Sequence, residues 1–284
     1  MSGIPRNLLE RAVERALEED AAYEDLTSRL TVEEGTHARA SAIAKSTLVA
    51  AGLEAFAAAF RRVDPAVVVD LLVADGARAQ PGDVLARVEG SARALLAAER
   101  VALNFLQRLS GVATLTRRYV EAVPSGCRTR ILDTRKTTPG LRALERYAVR
   151  CGGGFNHRHD LAGGILIKDN HVAACGGSVA AAVRRARAGA GPTQEVEVEV
   201  STLEQLDEAL AAGARAVLLD NMTPAQVAEA ARRAAGRATL EVSGGVRIEQ
   251  VAEFARAGVD FISVGALTHS APAVDISLEL ERLP

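Results

Sequence analysis

Residues Glu195–Ala266 read EVEVEVSTLEQLDEALAAGARAVLLDNMTPAQVAEAARRAAGRATLEVSGGVRIEQVAEFARAGVDFISVGA. Four apolar runs lie in this stretch: Glu195–Val200, Ala216–Asp220, Thr239–Ser243 and Asp260–Val264. They start 21 to 23 residues apart. Helical patterns separate them at Thr202–Ala212, Pro224–Ala235 and Ile248–Ala257, and Gly213 and Gly258 follow two of these. A β-strand followed by a helix, repeated at even spacing, implies a parallel sheet with helical crossovers. Two earlier runs, Arg130–Thr134 and Gly164–Lys168, extend the series to six strands. Six strands either close into a barrel or form an open sheet, and periodicity alone does not choose.

The residues at the ends of those strands favour a barrel-like site. In order they are Arg135-Lys136, Lys168-Asp169, Glu199, Asp220-Asn221, Ser243-Gly244-Gly245 and Val264-Gly265-Ala266. In parallel βα barrels the active site gathers at the carboxyl ends of the strands, often with phosphate held by the last two loops. The last two loops here carry the glycines, which let backbone N–H groups approach an anion closely. Glu195, Glu197 and Glu199 alternate with valines, so all three should share one face of their strand. The alternative is an edge strand with a solvated face.

Working outward, Thr129–Val172 reads TRILDTRKTTPGLRALERYAVRCGGGFNHRHDLAGGILIKDNHV. A helix is expected between its two apolar runs, with Pro139 near its first turn and Gly152 past its end. From Arg128 to His171 there are nine Arg and Lys against four Asp and Glu, in a chain whose net charge is -2. A local basic cluster of this kind suits a ligand with several phosphates or carboxylates. Of 34 basic residues only Lys45, Lys136 and Lys168 are lysines, and two of those follow the apolar runs of this stretch. Lys supplies a compact charge where Arg supplies a planar fork, so the choice points to chemistry at those places. The plain alternative is chance on a solvated surface. Arg142, Arg146 and Arg150 are spaced for a solvated helix face or a subunit contact.

Composition narrows the class. With 48% hydrophobic and 25% charged residues the chain is of ordinary globular type. No apolar run approaches the roughly 20 residues that span a bilayer. The N-terminus is acidic and amphipathic and lacks the apolar core of a signal peptide. Three separated cysteines without a CxxC fit a reducing cytoplasm. Aromatic residues make up 3% and Trp is absent, a poor stock for stacking bases, so nucleic acid is not the expected partner.

The first hundred residues give a helix over Pro5–Glu18, loop over Asp20–Arg29 and a strand over Thr36–Thr47. A helix over Leu53–Arg62 and a strand over Ala66–Ala74 follow. Ala77–Val88 reads as a hairpin around Gln80-Pro81-Gly82-Asp83. A long helix, Ala92–Leu109, carries Arg100 and Arg108.

The motifs resemble the quinolinate phosphoribosyltransferase family. Those that carry the resemblance are Ala98-Glu99-Arg100 with Asn104 and Ser110-Gly111, Asp133-Thr134-Arg135-Lys136-Thr137, Pro139-Gly140-Leu141-Arg142 and Tyr147-Ala148-Val149. Further along are Gly152-Gly153-Gly154, Asn156-His157-Arg158, Ile167-Lys168-Asp169-Asn170-His171, Glu197-Val198-Glu199-Val200, Leu219-Asp220-Asn221, Ser243-Gly244-Gly245 and Val264-Gly265-Ala266. They run in the family's order across nearly the whole chain. His159-Asp160 and a slightly long segment over residues 188–193 depart from the pattern.

The resemblance implies an α/β fold: an N-terminal α/β sandwich over residues 1–110 and an incomplete, open α/β barrel over 111–270, with 271–284 packing back on the first domain. It implies transfer of the phosphoribosyl group from phosphoribosyl pyrophosphate to quinolinate, with Mg2+, in a cytoplasmic homodimer or a higher oligomer built from it. Arg100 would reach the neighbouring subunit's site. Thr134, Arg135, His157 and Arg158 would join it around quinolinate, while Lys136 and Lys168 neutralise pyrophosphate. Glu199 and Asp220 would serve the ribose and the metal, and residues 243–245 and 264–266 the 5′-phosphate. Two other classes stay open on residues alone: a Schiff-base aldolase using Lys168, and a non-catalytic phosphosugar-binding regulator. A relative acting on another ring acid is a third.

Overall fold

A computed structural model describes residues 3–284. In chain order it begins with α1 (Arg6–Glu19), α2 (Leu26–Thr31), β1 (His37–Ala44), β2 (Leu48–Val49), α3 (Leu53–Val63), β3 (Val68–Leu71), β4 (Arg78–Ala79), β5 (Val84–Ser91) and α4 (Ala92–Glu121). It continues with β6 (Arg130–Leu132), α5 (Arg142–Cys151), β7 (Ile165–Ile167), α6 (Asp169–Ala174), α7 (Val179–Gly189), β8 (Val196–Val200), α8 (Leu203–Ala211), β9 (Ala216–Asp220) and α9 (Pro224–Ala234). The last elements are β10 (Thr239–Ser243), α10 (Val251–Arg256), β11 (Phe261–Ser263), α11 (Ala266–His269) and β12 (Ile276–Arg282).

The chain divides into two compact units. The first takes residues up to Arg117, then Thr137–Gly153, then Leu267–Pro284. Its main sheet is antiparallel, in the order β12-β1-β5-β3. In β1, Ala38, Ala40, Ala42 and Ala44 are buried while the intervening residues are not, the alternation of a half-buried strand. Phe56 and Phe60 of α3 meet edge to face, ring centroids 5.0 Å apart, in a core shared with Leu17, Leu53, Leu95 and Leu106. Gly111 sits mid-helix in α4, where glycine is ordinarily costly. A Cβ there would lie 2.0 Å from the Pro272 carbonyl oxygen, so the close approach of that strand-side segment requires glycine. Ser110 beside it accepts the Ala51 N–H at 3.0 Å.

Residues 137–153 are held to this unit by a buried charge. The Glu145 carboxylate is fully buried. It accepts from Arg108 Nη2 at 2.8 Å, from the Thr138 N–H at 3.0 Å and from Thr138 Oγ1 at 2.7 Å. Arg108, expected only as a charge among apolar residues, is therefore the partner that makes this burial tolerable.

Several expectations for this half need correction. Asp20–Arg29 is not all loop: Asp25 caps α2 by accepting the Ser28 N–H at 3.1 Å, and the helix starts at Leu26. The turn at residues 80–83 exists, closed by Asp83 N–H to Gln80 O at 3.0 Å, but its flanks do not form a hairpin. β4 pairs with β2, and β5 pairs with β1 and β3. The α4 helix continues twelve residues beyond the expected end at Leu109, to Glu121. Pro139 precedes α5 in a turn, since the helix begins only at Arg142.

The second unit, Arg118–Lys136 and Gly154–Ala266, holds the six-stranded parallel sheet. Its order is β6-β11-β10-β9-β8-β7. The ladder has two ends, so this is the open α/β barrel. Beyond β6 the sheet is extended by Phe155, whose N–H bonds to Ile131 O at 2.8 Å and whose carbonyl accepts from the Asp133 N–H at 3.0 Å. β8 lies between β7 and β9, which sets aside the edge-strand alternative for the alternating glutamates. Its valines are buried, and Glu197 and Glu199 share the opposite face; Glu195 precedes the strand and is exposed.

Candidate active site

All six strands run the same way, so their carboxyl ends share one edge, and the sheet order fixes which ends are neighbours. Along the edge they are Thr134-Arg135-Lys136, Val264-Gly265-Ala266, Ser243-Gly244-Gly245, Asp220-Asn221, Glu199 and Lys168. The two glycine loops are adjacent, with a basic loop on one side and the carboxylates on the other. The structure thus brings onto one edge every predicted site residue that the strand ends supply. Arg100 is not among them: it is exposed on α4, in the first unit.

Two of these loops interlock. Asn221 has φ 54°, the left-handed conformation that Asn tolerates better than most residues. Its N–H bonds to Ser243 O at 3.0 Å, and its side-chain amide donates to Asp220 Oδ2 at 2.7 Å. Gly244 has φ 99°, and a Cβ on it would lie 2.3 Å from Asn221 Oδ1. Both the turn and the contact exclude a side chain there.

At the β7–β8 end, Lys168 Nζ pairs with Glu199 Oε2 at 3.1 Å. The lysine is 47% exposed and the glutamate 15%. The Lys168 N–H donates to His171 Nδ1 at 2.9 Å, which anchors the backbone where the strand turns into α6.

The Asn156-His157-Arg158 segment follows the Phe155 extension and enters from the β6 side. Its anchor is Asp133, fully buried just beyond β6. Asp133 accepts the His157 N–H at 2.8 Å and the Asn156 side-chain amide at 2.5 Å. The imidazole of His157 points into the sheet's inner face. Its Nε2 lies 3.1 Å from Glu197 Oε2 and 3.5 Å from Glu241 Oε2. Its Nδ1 accepts the Arg158 N–H at 2.7 Å, which places the ring proton on Nε2. Burial lowers the pKa of His157, but the hydrogen bond to Glu197 and the charges of both carboxylates outweigh it and the net shift is upward. The Arg158 N–H aimed at Nδ1 opposes a second ring proton, so the carboxylates act chiefly on Nε2–H.

Glu241 was not foreseen. It is 3% exposed, in the middle of β10. Burial first, and then the charge of Glu197, push its carboxyl up to about 7, against the lowering effect of His157 and of the nearby Ser263 hydroxyl. Its Oε1 is buried with no hydrogen-bond partner. His157, Glu197 and Glu241 are also the one group of three such side chains, among the described residues, whose ligand atoms all lie within 4.8 Å of one another. The period-two rule that placed Glu197 and Glu199 on one face places Glu241 and Ser243 on one face of β10, and that signal was available.

Arg135 and Arg158 complete the basic side. Burial and then the charge of Arg135 lower the pKa of Arg158, so the two guanidinium groups stand close. Arg158 Nη1 donates to Gly164 O at 2.9 Å. Arg135 Nε is buried and has no acceptor. Two neighbouring cations with a donor left unsatisfied form a receptor for an anion with more than one negative group.

An open α/β barrel with cations, carboxylates and glycine loops along its carboxyl edge defines an enzyme acting on phosphorylated anionic substrates. The chain matches the quinolinate phosphoribosyl transferase N-terminal domain over residues 25–110 and the C-terminal domain over residues 112–279. It is 45% identical over 262 residues to a probable nicotinate-nucleotide pyrophosphorylase (carboxylating) of Bacillus subtilis, covering 92% of this chain and 90% of that one. It is 47% identical over 277 residues to the nicotinate-nucleotide pyrophosphorylase (carboxylating) of Mycobacterium leprae, covering 94% and 95%. The crystal structure of NadC from Streptococcus pyogenes superposes over 100% of both chains with a TM-score of 0.94 at 41% identity. The chain belongs to the quinolinate phosphoribosyltransferase family.

Proposed function

We propose that this protein transfers the phosphoribosyl group of phosphoribosyl pyrophosphate to the ring nitrogen of quinolinate. The products are nicotinate mononucleotide, pyrophosphate and carbon dioxide, a step of de novo NAD synthesis. One observation carries the assignment of the substrate pocket. Arg135, with a buried donor unsatisfied, stands beside Arg158, and a dicarboxylate would neutralise both. In this reading Arg135, Arg158, Thr134 and Arg100 of the partner subunit hold the two carboxylates, with His157 beside them. The exposure of Arg100 on α4 supports its reaching a neighbouring subunit in a homodimer.

The ribose centre becomes cationic as pyrophosphate leaves. Glu199 and Asp220, on adjacent strand ends, stabilise that charge and hold the ribose hydroxyls. Lys168, held over Glu199, and Lys136 draw off the pyrophosphate charge. Ser243-Gly244-Gly245 and Val264-Gly265-Ala266 offer backbone N–H groups to the 5′-phosphate. Catalysis rests on positioning and electrostatics, with no covalent enzyme intermediate. Glu199 and Asp220 supply the hard oxygen ligands that Mg2+ prefers, and two carboxylates suffice when phosphates and water complete the shell. A bound Mg2+ would offset pyrophosphate charge. A Schiff-base lysine is desolvated, whereas Lys168 is half exposed and ion-paired. No helix among the described residues is long and apolar enough to cross a membrane.

The test is pyrophosphate release with phosphoribosyl pyrophosphate and either quinolinate or nicotinate. Quinolinate should be strongly preferred, because nicotinate leaves a buried cation unpaired at a cost of about 1–3 kcal/mol. Phthalate, with the same two carboxylates and no ring nitrogen, should compete without reacting. Equal turnover of nicotinate would show that the pocket is not built for a dicarboxylate.

A further inference from the structure

Among the described residues, Glu241 is a buried carboxyl group that the reaction above does not use and that its surroundings leave incompletely paired. A carboxyl group in the middle of an inner sheet face is costly unless paired. Here one oxygen faces His157 and the other has no partner, so the site falls short of full satisfaction. A structural role alone would be served better by an apolar residue of similar size, since replacing buried ionisable groups in this way is often neutral or stabilising. The groups facing Glu241 are Glu197 from β8, His157 and Asp133 from the β6 side, and Ser263 from β11.

These contacts run in one direction. Glu241 and Glu197 together fix the Nε2 side of the His157 ring, and the opposite nitrogen accepts the Arg158 N–H. Asp133 holds the backbone on the other side. The result is a turn clamped at both ends, from which the Arg158 side chain reaches the Gly164 carbonyl within range of the charge of Arg135.

We propose that Glu241 is a positioning residue for the quinolinate pocket: with Glu197 it locks the His157 ring, and the ring in turn sets the backbone that aims Arg158. The proposal deepens the reading of that pocket as the dicarboxylate site and rests on it. It also explains why His157 turns inward, with neither ring nitrogen pointing away from the protein.

Two substitutions test it. Glu241→Met removes the contact to Nε2 while filling the space. Glu241→Gln keeps an oxygen able to accept from Nε2–H. Each purified protein is assayed for pyrophosphate release with either substrate varied at saturating levels of the other. For Glu241→Met the KM for quinolinate should rise about tenfold or more, the size of losing one polar contact that holds a binding group in place. The KM for phosphoribosyl pyrophosphate should stay within about twofold, and Tm should not fall. Glu241→Gln should recover most of the quinolinate KM. Nitrogen NMR of the parent should show His157 protonated on Nε2, with Nδ1 as acceptor.

A parental quinolinate KM in Glu241→Met overturns the proposal. So does a parallel rise in both KM values with a lower Tm, which marks a structural role only. A stoichiometric transition metal in the parent, lost in Glu241→Gln, would make the cluster a metal site instead. If Glu241→Met does not fold, the glutamine variant decides: a changed His157 tautomer with an unchanged quinolinate KM also overturns it. If the parent releases no pyrophosphate with quinolinate, the substrate reading fails, while the NMR still reports whether the ring is locked as described.

Discussion

Replacing Glu241 by Gln should make the protein's stability less sensitive to alkali. The carboxyl is pushed from 4.5 to about 7 on folding, first by burial and then by Glu197. A carboxyl whose folded pKa is raised holds its proton more tightly in the folded chain. Its favourable contribution is full below the unfolded value of 4.5 and is lost as pH rises through about 7. Integrating the two titrations between pH 5 and pH 8.5 gives a loss of about 2.5 kcal/mol from this one group. Gln mimics the protonated acid and does not titrate. Parent and variant should therefore have similar stability at pH 5 and diverge as pH rises, with the variant the more stable by about 2 kcal/mol at pH 8.5. At about 2–4 °C per kcal/mol for a protein of this size, the Tm difference should widen by about 5–10 °C. Calorimetry of both proteins at the two pH values reads this difference directly. A gap that stays constant across the range, or closes, would refute a buried, proton-retaining Glu241.

Glu199→Gln should keep the fold and lower kcat by about 10²–10³ with a smaller change in quinolinate binding, because its charge matters most when the ribose becomes cationic; undiminished kcat would remove it from the site. Arg100→Ala and Lys168→Ala homodimers should each be nearly inactive, yet exchange of subunits between them should restore activity at one site per mixed dimer. No recovery after exchange verified by mass would place Arg100 outside the partner's site. Burial holds the Cys151 thiol up at about 12, so native protein treated with iodoacetamide near pH 8 should gain adducts at Cys127 and Cys175 only. A third adduct on the folded protein would contradict that burial.

The parallel half was readable because its signals are local. β9 and β10 occupy Ala216–Asp220 and Thr239–Ser243, the runs picked out from apolar spacing. The alternation of Glu and Val by itself puts Glu197 and Glu199 on one face. What escaped was pairing between distant segments. β4 and β5 look like a hairpin because only a turn separates them, but their partners are β2, β1 and β3, and no local pattern carries that choice. Glu241 escaped for a related reason. Within Thr239–Ser243 it reads as one charge in an apolar run, and its meaning lies in Glu197 two strands away and in His157 from beyond β6. Lys168 and Glu199 were each found from strand-end position, while their ion pair needed the strand order.

The pairing of β12 with β1 bears on the order in which the protein can be made. Seven residue pairs join the two strands, from Ala38 with Arg282 to Ala44 with Ile276. A ribosome must therefore synthesise the whole second unit before the first can complete its sheet. Until then β1 presents an unpaired edge, the kind of surface that recruits other strands. In the second unit β7 to β11 pair in sequence order and can form while synthesis continues, whereas β6 waits for β11, so both units are completed only near the end of translation. A released chain truncated just before Ile276 should carry a complete parallel sheet beside an antiparallel one that lacks its last strand, and should associate through the open edge of β1.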